Sequence, residues 1–346
     1  MNRKALDMDM LHGPLAGKLL LFTLPIALSS MVQQLFNAAD TAVVGYWTSK
    51  SALAAVGTNT EIIALIVTAS SGLSIGANIL IANQIGRNKT AELPNTVQTA
   101  MLLAVLLGII GLLLGQAAAA PLLRLIQTPE GVFDAAALYL RLYMLGCPFL
   151  LLYDFGASVL RARGDSRCPF LALLVSGIAN VALNLLFVVV FRMGVAGVAI
   201  TTDLSTMLSA LLVLHRLVKD PLFRFTLRRP EFSLRAAWHI LKTGVPSAVQ
   251  GTVFCFANIF VQASVNRFGE TAIAGSTIAM NFEYFTYYII TAFGQAATTI
   301  TSQSHAAGQR GPRRRERELL AERGDVARDL GCACRVGLEV QQVDQE

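Results

Sequence analysis

Long apolar stretches, separated by short polar ones, make up most of the chain before residue 309. Each is at least about 20 residues long, the length that a helix needs to cross a bilayer. None alternates with a period of two, so each satisfies its backbone hydrogen bonds as a helix and not as a barrel strand. The pattern predicts an all-α, polytopic helical membrane protein. Its eight predicted transmembrane segments are Leu19–Trp47, Ala52–Ile85, Thr96–Ala120, Ala135–Leu160, Phe170–Phe191, Val195–Val218, Ile240–Phe268 and Ala272–Ala307.

Composition agrees with a membrane location. Hydrophobic residues make up 54% of the 346 residues, charged residues make up 14%, and the mean hydropathy is +0.56. A soluble domain carries about 25% charged residues. The five cysteines and four histidines form no zinc-ligand or nucleophile motif, and the sequence has no phosphate-binding glycine loop. We therefore expect neither an enzyme nor a cofactor.

Positive charges fall in alternate loops, which predicts the orientation. They lie before segment 1, after segments 2 and 4, and between segments 6 and 7. By the positive-inside rule, these loops and the N-terminus are cytoplasmic in the cell membrane. The formal net charge of +6 therefore reflects topology and not a nucleic-acid partner. The predicted cytoplasmic cations are Arg3, Lys4, Lys18, Arg87, Lys89, Arg161, Arg163, Arg167, Arg216, Lys219, Arg224, Arg228, Arg229, Arg235 and Lys242.

Segments 1 and 7 align at an offset of 221 residues. This offset pairs Pro25 with Pro246, and it also pairs Asn37 with Asn258. Because six segments separate the copies, both start on the same side of the membrane. The alignment predicts a parallel repeat, an arrangement typical of transporters with a substrate path between two halves. The alternative is a chance match of two apolar helices.

Asp40 is an acidic residue inside an apolar segment. Gln33, Asn37 and Asp40 lie at i, i+4 and i+7, on one face of a helix. An ionised carboxylate near mid-membrane costs at least about 2.5 kcal/mol, which makes Asp40 a functional candidate. It lies in the outer half of segment 1, where it can load a cation from outside, and we expect Gln33 and Asn37 to line a substrate path. The alternative is a structural contact between helices, worth about 0.6 kcal/mol.

Other side-chain oxygens lie at a similar depth. Asn180 and Asn184 are one turn apart in segment 5, and Thr201, Thr202 and Asp203 lie near the start of segment 6. Hard oxygen ligands suit Na⁺, and the same carboxylate can carry a proton. The predicted cation-coupling site comprises Asp40, Asn180, Asn184, Thr202 and Asp203, with Asp40, Asn180 and Asn184 as the ligands if the ion is Na⁺.

Four stretches resemble one transporter family and occur in the same order. The most specific is the loop that contains Arg161, Gly164, Asp165 and Pro169. From about Leu11 to Gly308, the chain resembles the multidrug and toxic compound extrusion (MATE) family, bacterial branch. The four stretches are PIALSSMVQQLFNAADTAVVG, LSIGANILIANQIGRN, SVLRARGDSRCP and GVAGVAITT.

The resemblance implies two six-helix lobes, antiport driven by inward Na⁺ or H⁺, and export of amphiphilic, often cationic, organic compounds. Asp40 and Asn180 match the family's acid and amide in segments 1 and 5. Pro25 resembles the family's segment 1 proline, whose missing N–H permits a hinge, although a static kink is equally consistent. Some members have an acid where this chain has Asn184, whereas Asp203 stands where an apolar residue is expected. We expect the acid to have moved to segment 6, which leaves Na⁺ and H⁺ as alternatives.

Three further acids lie within apolar segments, and one of them, Glu61, is near the outer start of segment 2. Glu283, in segment 8, would bind a cationic substrate together with the ring of Tyr287, and the alternative is an aromatic belt or ordinary packing. Asp154, in segment 4, is expected to snorkel or to meet Arg161 or Arg163.

The segments divide the chain into five regions. The last is rich in Arg and acids, and segments 3 to 6 have no counterparts after segment 8. We expect this tail to be non-native or disordered, after a shifted reading frame in a C-terminally incomplete transporter that does not transport alone. The alternative is a regulatory tail on a protein that completes its second lobe with another chain. The predicted regions are a cytoplasmic N-terminal segment (1–18), a six-helix N-lobe (19–218), a cytoplasmic linker (219–239), a partial C-lobe with two transmembrane helices (240–308) and a polar tail (309–346).

Together these features predict a cation-coupled antiporter that exports amphiphilic organic compounds or drugs across the cytoplasmic membrane. Its expected partners are membrane lipid and small organic substrates, and the sequence indicates no particular oligomeric state. One alternative is a lipid-linked oligosaccharide flippase of the same superfamily. Another is a receptor or structural membrane protein that does not transport.

Overall fold

The computed structural model of the chain is a bundle of long α-helices. It describes residues 15–48, 50–89, 91–125, 128, 130–223, 232–265, 287, 289–304 and 306. No strand occurs among these residues, and the predicted all-α class is confirmed. The helices are α1 (Leu15–Trp47), α2 (Lys50–Gly86), α3 (Leu93–Leu125), α4 (Glu130–Leu145), α5 (Cys147–Arg163), α6 (Arg167–Asn184) with a π-helix (Leu185–Val190) directly after it, α7 (Gly194–Val218), α8 (Leu234–Val265) and a further helix over residues 289–304.

Predicted segments 1 to 6 each coincide with described helices, segment 7 does so as far as Val265, and segment 8 lies partly outside the described residues. Segment 4 differs in shape, because it consists of α4 and α5 with a bend of 46° between them. Gly146 lies at the bend, and Pro148 has no N–H with which to continue the ladder of α4. Among the described residues, four helices are long and apolar enough to cross a membrane, or five if the bent pair is one span.

One end of the bundle carries the cations that the sequence predicts to be cytoplasmic, and we name it the basic end. Helices α2, α5 and α7 end there, whereas α3, α6 and α8 begin there. Arg163 pairs with Asp220 at this end, and Arg216 lies 3.8 Å from Asp220 and 3.6 Å from Asp165. Both carboxylates are buried. The ion pairs therefore join the connection after α5 to the end of α7.

Helix α8 and the 289–304 helix pack against the preceding helices. Small residues bring α2 and α8 close together: a Cβ at Gly76 would lie 2.1 Å from the Ile240 carbonyl oxygen, and one at Gly244 would lie 2.5 Å from that of Leu73. The 289–304 helix packs on α1. A two-fold repeat would exchange these two pairs of helices. The α1 contact consists of Phe22, Ile26 and Ala27 with Ala292, Ala296 and Ile300.

Candidate functional site

The Asp40 carboxylate ties α1 to both α6 and α7. Its Oδ1 accepts a hydrogen bond of 2.5 Å from Asn184 Nδ2, and its Oδ2 accepts one of 3.3 Å from Thr202 Oγ1. These partners lie 144 and 162 residues away in the sequence. Asp40 is only 7% exposed, so its bonding capacity is met by protein donors more than by solvent. The carboxylate is thus a junction between three helices.

A second layer of hydrogen bonds orients the Asn184 amide. Thr201 Oγ1 donates to Asn184 Oδ1 at 2.5 Å, so the amide nitrogen is directed toward Asp40. That nitrogen also lies 3.2 Å from Asn180 Oδ1, and Asn180 Nδ2 donates to Ser205 Oγ at 3.4 Å. All four of these partner side chains are buried. Ser205 is not among the predicted site residues, although it lies one turn after Thr201 and shares its face of α7.

Close packing of α1 on α6 brings the two sides of the site together. Gly177 lies one turn before Asn180, and a Cβ there would be 1.7 Å from a carbon of the Phe36 ring. Phe36 in turn lies one turn before Asp40. The missing side chain at Gly177 therefore lets α1 approach α6 at the level where Asp40 meets Asn184. The π-helix begins immediately after Asn184, at Leu185, and π-helical turns often occur at functional sites.

Asp203 is not among the side chains that contact Asp40. Its carboxylate lies against Gly146 at the bend between α4 and α5, where a Cβ on Gly146 would be 2.2 Å from Asp203 Oδ1. Successive helical residues point about 100° apart, so Thr202 and Asp203 face different neighbours. The geometry thus does not support the expectation that Asp203 joins the Asp40 ligands, and its coupling role stays a prediction.

The donor set of the site contains one carboxylate and several neutral oxygens. Asp40, Asn180 and Thr202 supply oxygens of the hard type that binds Na⁺, and Asp40 alone can carry a proton. In the described part of the chain, no group of three or more His, Cys, Asp or Glu side chains could hold a metal ion. A single negative charge surrounded by neutral oxygens fits a monovalent cation or a proton.

The predicted substrate-path residues are only partly described. Gln33 is half-buried in α1, and Tyr287 is 40% exposed. Asn37 lies in α1, but its side chain is not among those described, and Glu283 lies outside the described residues. The predicted contact between Glu283 and Tyr287 thus lies outside the described residues, and the path remains a prediction.

Pro25 lies inside α1, which continues on both sides of it. The Pro25 carbonyl accepts a hydrogen bond of 2.7 Å from Ser29 Oγ. Proline removes one backbone donor from the ladder, which makes bending easier at the preceding turn. The position is compatible with the predicted hinge, whose role stays a prediction.

Asp154 has a different main partner from those expected. Its Oδ2 accepts a hydrogen bond of 2.5 Å from Ser70 Oγ of α2. Arg161 interacts with Asp154 electrostatically but donates its hydrogen bond to Gln295, and Arg163 pairs with Asp220. Asp154 is therefore held between α2 and α5, apart from the Asp40 site.

A cleft of about 700 Å³ opens at the end opposite the basic end. It includes Val188, which lies one turn after Asn184, but none of the predicted coupling residues. The cleft is lined by Trp47, Thr48, Ala52, Ala135, Val188, Val189, Arg192, Gly194 and Val195.

Comparison with known families agrees with the fold and with the repeat. The family model MatE matches residues 25–186 and 246–314, which is more than half of the chain. The two matched stretches begin at Pro25 and Pro246, the prolines that the 221-residue offset pairs.

Curated relatives and a solved structure point to the same family. The probable multidrug resistance proteins YpnP and YoeA of Bacillus subtilis (strain 168) are 29% and 30% identical, over 87% and 84% of this chain. The chain spans 67% and 64% of their lengths. A crystal structure of a MATE protein in the bent conformation has a TM-score of 0.79 at 25% identity, over 86% of this chain and 67% of that one. The chain belongs to the MatE family, the multidrug and toxic compound extrusion (MATE) transporters.

Proposed function

We propose that this chain forms the ion-coupling part of a cation-coupled antiporter that exports amphiphilic organic compounds across the cytoplasmic membrane, with its N-terminus in the cytoplasm. The observation that carries the proposal is the buried Asp40 carboxylate, which accepts hydrogen bonds from Asn184 and Thr202 on two other helices. A carboxylate at this depth is costly, so a function is the better explanation for its presence. The coupling ion is Na⁺ or H⁺.

Loading Asp40 with a proton changes the contacts between helices. Asn184 and Thr202 both donate to the carboxylate. A proton on one carboxylate oxygen makes that oxygen a donor and a weaker acceptor, so the side chain that donates to it is bound less strongly. Protonation thereby weakens the tie between α1 and either α6 or α7. Ion binding at this site can thus move α1 relative to its neighbours.

Na⁺ would act on the same junction through its ligands. The ion prefers oxygen ligands, and the cluster contains side-chain oxygens of Asp40, Asn180, Asn184 and Thr202. Turning these oxygens toward the ion competes with the hydrogen bonds that now join the three helices. The proposed coupling step is therefore an exchange of interhelical hydrogen bonds for ion ligands, or the reverse.

The proposed cargo follows from the relatives. YpnP and YoeA are named probable multidrug resistance proteins, which supports small amphiphilic organic compounds as substrates. Gln33 and Tyr287 are the described side chains that we propose for the substrate path, together with Asn37, Glu283 and a hinge at Pro25.

Dye flux in proteoliposomes tests the proposal. Because the chain spans about two thirds of the lengths of its relatives, a version extended to their length is reconstituted, and efflux of a fluorescent cationic dye is followed under a Na⁺ gradient, a pH gradient or neither. We expect flux with at least one gradient, and we expect Asp40→Asn to abolish it at equal protein content. Asp154→Asn is the matched control, because Asp154 is also an intramembrane acid, half-buried, but its carboxylate accepts a hydrogen bond from Ser70 outside the site. Absence of gradient-dependent flux, or equal flux in Asp40→Asn, would contradict the proposal.

A further inference from the structure

A buried polar contact joins α2 to the 289–304 helix near the basic end. Thr299 Oγ1 donates a hydrogen bond of 3.0 Å to Asn78 Oδ1, and Asn78 Nδ2 donates one of 3.0 Å to the Ser158 carbonyl of α5. Thr299 is 1% exposed and Asn78 is 6% exposed. Asn78 therefore uses both ends of its amide, one within the first six helices and one across to the 289–304 helix.

Two further hydrogen bonds join the 289–304 helix to α5. Arg161 Nη1 donates to Gln295 Oε1 at 3.0 Å. Gln303 Nε2 donates to the Ala162 carbonyl oxygen, and Gln303 is buried. The three contacts span residues 295 to 303, about two turns of the 289–304 helix. Together they hold this helix against the last turn of α5 and the second half of α2.

The position of the Asn78–Thr299 bond is set by the repeat. In segments 2 and 8 the repeat has an offset of 222, which pairs Gly72 with Gly294 and Gly86 with Gly308, whereas Asn78 and Thr299 are 221 positions apart. Asn78 therefore contacts the residue next to its repeat equivalent, and such a contact lies near the axis that relates the two copies. The bond is therefore at the centre of the interface between the halves and not at its edge.

We infer that the contacts Asn78–Thr299, Arg161–Gln295 and Gln303–Ala162 form a latch that holds the basic end of the transporter closed and that must break when this end opens. The inference rests on the proposed function in one respect, since a transporter has to open each end in turn. It adds the residues that keep the basic end closed, and it places the Asn78–Thr299 bond near the repeat axis.

The chemistry of the latch suits a contact that forms and breaks repeatedly. No carboxylate takes part in its three hydrogen bonds, so none is an ion pair. Two of the three join neutral groups, and each of these contributes little net free energy because water replaces the partner once the site opens; the third has the charged Arg161 guanidinium as its donor. Leaving one partner unpaired in the closed state is costly, however, since water cannot reach it. Removal of a single partner should therefore favour the open state.

A buried cysteine reports opening without any need for transport. Ser304, which follows Gln303, is 9% exposed and is changed to Cys in a chain whose five native cysteines are replaced. The full chain is placed in lipid nanodiscs, and the rate of labelling by a polar maleimide is measured. Thr299→Val leaves Asn78 Oδ1 without its donor, and we expect labelling about tenfold faster, which corresponds to about 1.4 kcal/mol.

Three variants separate the latch from general loosening. Thr298→Val is the matched control, because among the described residues the Thr298 hydroxyl bonds to the Gly294 carbonyl of its own helix, and it should label within about twofold of the parent. Thr299→Ser keeps the hydroxyl and should label like the parent. The double variant Asn78→Leu/Thr299→Val removes both partners and should label more slowly than Thr299→Val.

Equal labelling rates in Thr299→Val and Thr298→Val would overturn the latch, and so would fast labelling in Thr299→Ser. The measurement uses no ion gradient and no substrate. A chain that shows the expected labelling pattern but no dye flux would keep the latch and lose the proposed antiport. Dye flux without the labelling pattern would support the proposed antiport and overturn the latch.

Discussion

Asn184 donates a hydrogen bond of 2.5 Å to Asp40, at the point where α6 ends and the π-helix begins. The amide is fixed in this direction by Thr201, which occupies its oxygen. Asn184 therefore contacts the carboxylate as a donor, through its amide nitrogen. This bond and the one from Thr202 couple the protonation or ion-binding state of Asp40 to the packing of three helices.

Replacement of Asn184 by Asp should strengthen Na⁺ binding. Asn184→Asp places a second carboxylate beside Asp40, and the added negative charge attracts a cation at close range. We expect Na⁺ affinity about tenfold higher, or about 1.4 kcal/mol, in titrations of the purified chain. Asn95→Asp, near the start of α3 at the basic end, is the control and should leave the affinity unchanged. An Asn184→Asp chain with the parent's affinity would argue against ion binding between these helices.

Gly146 should tolerate no side chain while Asp203 is present. Gly146→Ala would place its Cβ 2.2 Å from Asp203 Oδ1, and overpacking of this kind costs about 1–3 kcal/mol. We expect a lower melting temperature, which Asp203→Ala in the same chain partly restores. Gly131→Ala in the first turn of α4 is the control, because no atom lies within 4 Å of its added Cβ. Equal melting temperatures for the two alanine variants would mean that Asp203 does not lie against the bend.

The α2–α8 contact should also depend on a missing side chain. A Cβ at Gly76 would lie 2.1 Å from the Ile240 carbonyl oxygen, so Gly76→Ala must push the two helices apart. We expect a loss of about 1–3 kcal/mol, measured by thermal unfolding in detergent. Gly57→Ala, in the same helix with nothing within 4 Å of its Cβ, should be neutral or slightly stabilising. A Gly76→Ala chain as stable as Gly57→Ala would contradict the close crossing.

The ion pairs at the basic end should stabilise the fold through Asp220. Its carboxylate is buried between Arg163 and Arg216, and it also accepts a hydrogen bond from the Leu222 N–H. Asp220→Asn keeps an oxygen for that N–H but removes the charge, and we expect a loss of about 1–3 kcal/mol in thermal unfolding. Asp134→Asn, on the exposed side of α4, is the control and should change stability by less than about 0.5 kcal/mol. Equal stability of the two variants would show that the ion pairs contribute nothing to the free energy of unfolding.

Much of the site could be predicted because two simple rules apply to helices in a membrane. The length of an apolar segment fixes the depth of each residue, and a spacing of four places two residues on one face. These rules select four residues that the structure brings into one hydrogen-bonded cluster, namely Asp40, Asn180, Asn184 and Thr202. The two rules decide depth and face, but they do not decide which neighbour a face meets.

The remaining features depend on helix rotation and bending, which an apolar sequence hardly specifies. A helix that is apolar all round can be turned about its axis with little change in hydrophobic burial. The orientation of Asp203 toward Gly146 and the contribution of Ser205 both depend on the rotation of α7. The pairing of Asn78 with Thr299 depends on how the two halves meet. These facts required the packed structure.

Ion binding at Asp40 can be measured directly with Trp47 as the reporter. Trp47 lies in α1 two turns after Asp40, and Trp238→Phe leaves it as the chain's only tryptophan. The emission of the full chain in nanodiscs is titrated with Na⁺ at fixed pH and with pH in the absence of Na⁺. We predict a saturable response to at least one of them, which Asp154→Asn retains and Asp40→Asn loses. An Asp40→Asn chain that responds to Na⁺ and to pH as the parent does would contradict the assignment of the coupling ion to Asp40.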